Sequence, residues 1–418
     1  MGESEARHWV GVDWGHQEHA VCVLDGQGTV VSRFRVAHSP EGLQELVVDL
    51  RGYEPLGGIA VESNRSVLID ALLQADFIIY PINPKLSSKW RKAWSVSGAK
   101  DDDRDGLVLG YGLLHQHQWL KTLTPDCESA RELALLCEDE ARFIRARTRM
   151  IQQLKDTLRQ YYPAALEWFQ NWTRQSAWDF VLTFPTPESI ATAPKRKVYG
   201  FLRSHGIGLS ARWQALVEAR ASAAEWPSNR AATKAKSLLA VSLARQLRAL
   251  TPTLEEYRRR IEELFEAYQG KEVFESLPGA GSKLAPRLAC ALGTDRTRFD
   301  SAQSLQQLSG TAPVTAQSGK RKQVHMRRAC QRHFRCALHL FALQTLQRSA
   351  WSRAYYDLAR ARGQSHALAL RNLANKWLKI IYRMWHNGDT YDEQRYIRQL
   401  VSKNSPVAYQ LGLLNAGG

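Results

Sequence analysis

The chain has 418 residues, of which 44% are hydrophobic and 23% charged, the balance of a globular protein of two or three domains and not of a disordered tail or a membrane bundle. Lysine and arginine number 57 against 41 acids, a net of +16, yet residues 1 to 122 hold 12 basic and 16 acidic side chains, net −4, which leaves +20 for the rest. Such asymmetry fits a long basic part that holds a polyanion such as nucleic acid, and an acidic end that needs negative charge for another purpose.

No apolar run approaches the roughly 20 residues of a spanning helix. The charged start MGESEARHWVGVDWG enters a strand-like segment at once, so no secretory leader is expected and the cytoplasm is the expected compartment. Six cysteines, Cys22, Cys127, Cys137, Cys290, Cys330 and Cys336, form neither a CxxC pair nor a regular framework, so they read as reduced, mostly packing residues.

Residues 8 to 36 alternate in strand fashion, HWVGVDWG, HAVCVLDG, a GQG turn and TVVSRFRVAH, which predicts a three-stranded antiparallel meander. Ser39-Pro40-Glu41 is a helix start with proline at an early helical position, and GLQELVVDLRGY continues in helical period. LGGIAVES reads as a strand ending on a glutamate, SVLIDALLQADF as a helix and FIIYPINP as another strand. Three strands, helix, strand, helix, strand is the order of the ribonuclease-H-like fold, a mixed sheet with helices on its faces.

From about residue 126 long helices take over. Ile144, Ile151, Leu154, Leu158 and Tyr161 trace one apolar seam before Pro163; Leu243, Leu247, Leu250, Leu254, Tyr257, Ile261, Leu264 and Tyr268 trace a second in steps of four and three, the spacing of a coiled coil. The seams pair with each other as a stalk, or with a second subunit, or form a plain bundle core. Pro252 lies inside the second seam, where a kink or a fresh helix start is expected. Residues 163–236, rich in tryptophan and arginine, read as a small helical insert. LPGAGSKLAPRLACALG then has the small-residue turn of a helix-hairpin-helix, whose glycines let backbone amides approach a phosphate. Further helices run to about residue 390. The expected division is 1–122, 123–275, 276–390 and a tail at 391–418.

Residues 101–105 read DDDRD. In a ribonuclease-H-like sheet the first strand carries an aspartate, here Asp13, and the fourth strand beside it ends on Glu62. Asp102 and Asp105 are three apart and share a helix face. Four carboxylates meeting from two strands and a helix repel one another unless divalent cations neutralise them, and oxygen ligands of this kind suit Mg2+, with Mn2+ as substitute. Two such ions can activate a nucleophile and stabilise the leaving oxygen of a phosphodiester. Asp101 and Asp103 read as flanking charges, either of which could stand in as a ligand.

With these motifs assembled, the chain resembles the DEDD transposases of bacterial insertion sequences, the bridge-RNA-guided recombinases. The likeness is carried by GVDWGHQEHAVCVLD, AVESN, the K-x-D-x-x-D core of AKDDDRDG, LPGAGSKLAPRLACALG and LSGTAPVTAQSGKRK, and spans most of residues 8 to 390. It implies an α/β domain like that of the RuvC junction resolvase, a helical coiled-coil stalk and a mainly helical C-terminal transposase domain. It also implies metal ligands at Asp13, Glu62, Asp102 and Asp105, a catalytic serine at Ser318, and a composite site in a homo-oligomer, dimer or tetramer. Donor and target DNA and a structured guide RNA are the implied partners. A serine that attacks a phosphodiester keeps the energy of the broken bond in a phosphoserine ester, so rejoining needs no ATP. Around Ser318 stand Lys320, Arg321, Lys322, Arg327, Arg328, Arg332 and Arg335 with no acid among them, a patch suited to nucleic-acid backbone. The chain departs from the family pattern at Asp101, usually threonine, at Gly106, usually alanine, and at Ala329-Cys330, where a glycine is common.

Two rival readings follow from the same residues. One is a metal-dependent junction resolvase or nuclease in which water attacks and Ser318 is structural. The other is a non-catalytic nucleic-acid-binding protein. A sugar kinase also begins with a strand aspartate, but the glycine-rich phosphate loops it needs after the first strand are missing.

Overall fold

The computed structural model describes residues 7–63, 65–94, 102–225, 229–319 and 321–414, with the backbone alone at Trp94, Asp102 and Asp103. The chain forms two compact units, Met1–Pro125 and Asp126–Gly418.

The first unit holds the expected mixed sheet. Strands β1 (His8–Asp13), β2 (Glu18–Leu24) and β3 (Val30–Ala37) form an antiparallel meander, and β4 (Leu56–Val61) and β5 (Ile79–Pro81) add in parallel on the other side of β1, in the order β3-β2-β1-β4-β5. Helix α1 (Pro40–Arg51) begins where the sequence placed it, with the Ser39 hydroxyl accepting from the Gly42 amide at 3.1 Å, and Ser66 caps α2 (Val67–Gln74) the same way through Ile69. Val10, Val12, Val21, Val23, Ile59 and Val61 pack one sheet face against Leu46, Leu50, Leu68 and Leu72 of these helices. Trp9, Cys22 and Leu24 pack the other face against α3 (Pro84–Trp94) and α4 (Asp102–Gln116) through Trp90, Leu109 and Leu113.

Three glycines set how near α4 comes to the sheet. A Cβ on Gly11 of β1 would stand 2.0 Å from the Gly106 carbonyl oxygen and 2.4 Å from the Gly110 amide nitrogen. Main chain therefore lies on main chain at the first strand, a contact that no other residue at position 11 permits without displacing the helix.

The second unit is organised by α5 (Glu128–Tyr161) and a later long helix, α11 (Arg230–Glu266). Between them lie α6 (Ala165–Trp168), α7 (Gln175–Thr183), α8 (Pro187–Ala191), α9 (Lys195–Ser204) and α10 (Ala211–Glu218). The two seams pair with each other in antiparallel fashion: Arg260 donates to Glu132 at 2.9 Å, Arg258 to Glu140 at 3.3 Å, and the Phe143 and Tyr257 rings lie 5.4 Å apart. At one end Ile151, Leu154, Leu158, Leu243 and Leu247 share a core with Trp168, Trp178, Phe180 and Phe184, so the insert is a packed cap on the stalk. Pro252 starts no new helix, because α11 runs through it unbroken. The roughly 3 kcal/mol cost of an internal proline is offset by Leu247 and Leu254, buried on either side of it.

At the other end Leu133, Ile261 and Phe265 share a core with the C-terminal helices. These are α12 (Lys271–Glu275), α13 (Gly281–Leu292), α14 (Ala302–Leu308), α15 (Arg332–Thr345), α16 (Ala350–Ala361) and α17 (His366–Asn387). The turn from α12 to α13 is the expected glycine hairpin, with Gly279 at φ +83 and Gly281 at φ +51, values that favour glycine. Glu140 of α5 is 4% exposed and accepts from Arg287 of α13 at 2.6 Å as well as from Arg258. The segment expected as a tail contains α18 (Glu393–Ser402) and α19 (Pro406–Gln410), and Val407 joins the same core. Cys22 and Cys137 are buried, but Cys127 and Cys336 are exposed, so packing does not explain them all. Among the described residues no helix is long and apolar enough to cross a membrane.

Candidate active site

Asp13 is the last residue of β1, and Glu62 follows the last residue of β4. Because β1 and β4 are parallel, with Val12 opposite Val61, both carboxylates leave the sheet at the same end, where the chemistry of open α/β sheets collects. Asp105 precedes Gly106, the residue whose carbonyl lies against Gly11, so the glycine contact brings the helix carboxylate to the strand ends. The result is one pocket of about 360 Å³ lined by Asp13, Glu62 and Asp105, with Trp14, Glu18, Arg35 and Arg91 among its other walls. Asp102 opens α4; its side chain, like Asp101 and the side chain of Asp103, lies outside the described residues.

The charges in the pocket are answered by two arginines that sequence reasoning did not single out. Asp105 is 3% exposed, and a carboxylate so buried requires a cation. Arg91 of α3 supplies it, its Nε donating to Asp105 Oδ1 at 2.6 Å while Nη2 lies 4.0 Å from Glu62 Oε1. At the rim Arg35 pairs with Glu18. The signal for Arg91 was weak: KWRKAW offers three cations within four positions, and only the helical register decides which one faces the acids.

Behind the pocket His19 is fully buried. Its Nδ1 accepts from the Gly15 amide at 3.4 Å, and its Nε2 lies 2.9 Å from His38 Nδ1. Burial first, and the His38 charge second, lower its pKa to about 4, so the ring is neutral at physiological pH.

Among the described residues no group of three or more His, Cys, Asp or Glu side chains stands ready as a metal cage. The donor chemistry nevertheless fits a hard divalent cation: the pocket's acids are all carboxylates, and the most buried of them already holds a positive charge.

Ser318 belongs to the second unit. It ends β6 (Val314–Ser318), which pairs antiparallel with β7 (Arg321–His325), and its partner across the ribbon is Arg321. Every residue of both strands is exposed, and Gly319 makes the turn at φ +56. Arg321 and Lys322 stand on β7, and Arg328 and Arg332 are exposed beyond it, while Arg327 is half-buried. Lys320 lies outside the described residues. Arg335 is partly committed to the backbone: Nε donates to the Ser309 carbonyl at 3.3 Å and Nη2 to that of Arg327, which ties α15 to the base of the ribbon.

Two family models match the chain. One, described as a transposase and built on the DEDD proteins of IS110, covers residues 10–163; the other, described as the transposase IS116/IS110/IS902 family, covers 271–357. The mini-circle protein of Streptomyces coelicolor whose name assigns it to transposition of IS117 is 28% identical over 96% of this chain and 99% of its own length. An uncharacterized 44.8 kDa protein of insertion element IS116 from Streptomyces clavuligerus is 25% identical over 92% of this chain and 96% of its own length. An uncharacterized 42 kDa protein of IS900 from Mycobacterium paratuberculosis is 27% identical over the same shares.

Proposed function

The chain belongs to the IS110/IS116 transposase family of insertion elements, and on that premise we propose that it cuts and exchanges DNA strands through a covalent link to Ser318. What carries the reading is the convergence of Asp13, Glu62 and Asp105 on one pocket at the ends of two parallel strands. With Asp102 they would hold Mg2+, or Mn2+ in its place. The metal, when bound, would supply positive charge against the developing negative charge of the phosphodiester.

The chain's own residues do the rest. Ser318 Oγ loses its proton as it attacks phosphorus, the Oγ–P bond forms as the P–O bond to the DNA strand breaks, and the leaving deoxyribose oxygen takes up a proton, so the step is proton-neutral. Reversal by a different strand's hydroxyl completes the exchange and frees the serine. Arg321, Lys322, Arg328 and Arg332 would grip backbone phosphates on either side of the serine. Serine and acids belong to different units, so pairing them across two copies in a homodimer or tetramer suits the chemistry. A structured RNA encoded by the element would select donor and target DNA by base pairing.

The test is Ser318→Ala assayed on donor and target DNA with magnesium. We expect strand exchange and the protein–DNA adduct on denaturing gels both to vanish. Mg2+-dependent hydrolytic cutting that persists in the variant at the wild-type rate would instead make the protein a nuclease with water as nucleophile. Sequencing RNA from the purified protein tests guidance, and a preparation free of bound RNA would remove that part of the reading.

A further inference from the structure

The contact between Arg91 and Asp105 has a consequence for how the pocket takes up its ions. Asp105 is 3% exposed and Arg91 itself only about one-quarter exposed, so their 2.6 Å charge-assisted hydrogen bond is made largely away from water, where such bonds are at their strongest. The guanidinium also leans toward Glu62, 4.0 Å from Oε1. It thus sits between a helix carboxylate and a strand carboxylate of the same pocket, the negative charge a divalent cation would also seek. A guanidinium held there lowers the affinity of the same carboxylates for a second cation.

We propose that Arg91 is a built-in counter-cation that competes with the divalent metal for Asp105, keeping the acids neutralised and in register and raising the metal concentration needed to load the pocket. The inference rests on the reading of the pocket as a metal site. Loading weakens the pairing of Arg91 with Asp105, and the guanidinium remains on the pocket wall, within reach of a negatively charged substrate. Arg91 is in this sense a positioning residue: it acts through the carboxylates and takes no part in bond making.

Mn2+ binding to the full-length protein, followed by the electron paramagnetic resonance signal of the free ion, reads the competition directly. We expect Arg91→Gln to bind Mn2+ on the order of tenfold more tightly than wild type, because the competing charge is gone. Its melting temperature without metal should fall below wild type, since Asp105 is left buried and unpaired, and Mn2+ should close that gap. Arg91→Lys, which keeps the charge but loses the planar fork, should lie between the two and guards against a misfolded Gln variant. Asp105→Asn should abolish the tight Mn2+ site in every background. Equal or weaker Mn2+ binding by both Arg91 variants, with wild-type binding intact, would overturn the competition alone. Absence of Mn2+ binding by wild type and variants alike would overturn the metal reading and this inference with it.

Discussion

Asp13 and Asp105 are positioned by main chain lying on main chain, whereas Ser318 stands at the end of a five-residue strand in which every residue is exposed. The acid pocket has its walls in a sheet with a core on each face. The serine ribbon has no core of its own and is anchored through backbone contacts such as those of Arg335. A two-stranded ribbon alone is marginal in water, so its working geometry must come from what it touches. The lesson is a contrast in support: the acids are set by packing within the first unit, while the proposed nucleophile stands on a ribbon without such packing.

The sharpest test of that contrast is Ser318→Ala, expected to lower strand exchange by a factor on the order of 10³ or more with the thermal melting curve superimposed on wild type. A large loss of stability would break the comparison, by showing that the ribbon carries structural load. Next comes Gly11→Ala, whose Cβ would meet the Gly106 carbonyl at 2.0 Å; it should destabilise the first unit by about 3 kcal/mol and displace Asp105, seen as a lowered denaturation midpoint.

His19 gives a third test through pH. Unfolded, it takes a proton near its ordinary 6.5, but folded it stays neutral down to about 4. The unfolded state therefore binds more protons throughout that window, and the first unit should lose about 2–3 kcal/mol as pH falls from 6.5 to 4. Denaturation midpoints measured across the window should show that slope reduced in His19→Gln. The smallest effect is expected at Gly319→Ala, where φ is +56 and, among the described residues other than its chain neighbours, no atom lies within 4 Å of the added methyl. The strain of about 1 kcal/mol falls on the turn alone, so global melting should be unmoved and exchange should fall less than tenfold.

Much of the first unit was legible because its signals are local. Period-two alternation gave β1 to β3, the Ser39-Pro40 start gave α1, and a glutamate closing an apolar strand gave Glu62. Asp13 could be placed because the strand order fixes which carboxylates emerge together. Arg91 was not legible, since its role depends on the docking of α3 over the sheet, a contact between residues that sequence periodicity treats alike. Of the two outcomes expected at Pro252, the fresh helix start does not occur, because packing on both sides of the proline, invisible to a local rule, keeps α11 continuous. The insert's aromatic core and the helices after residue 390 were missed because short helices lack enough turns to show a period. Ser318 came from family likeness, as an exposed serine before a glycine looks like many other turns.

The shared carboxylate of Glu140 has a mechanical meaning. Arg258 reaches it from the partner helix of the stalk and Arg287 from the helix that follows the glycine hairpin. Rotation of either long helix about its axis would strip a buried anion of a cation, so the two stalk helices and the helix after the hairpin resist twisting against one another.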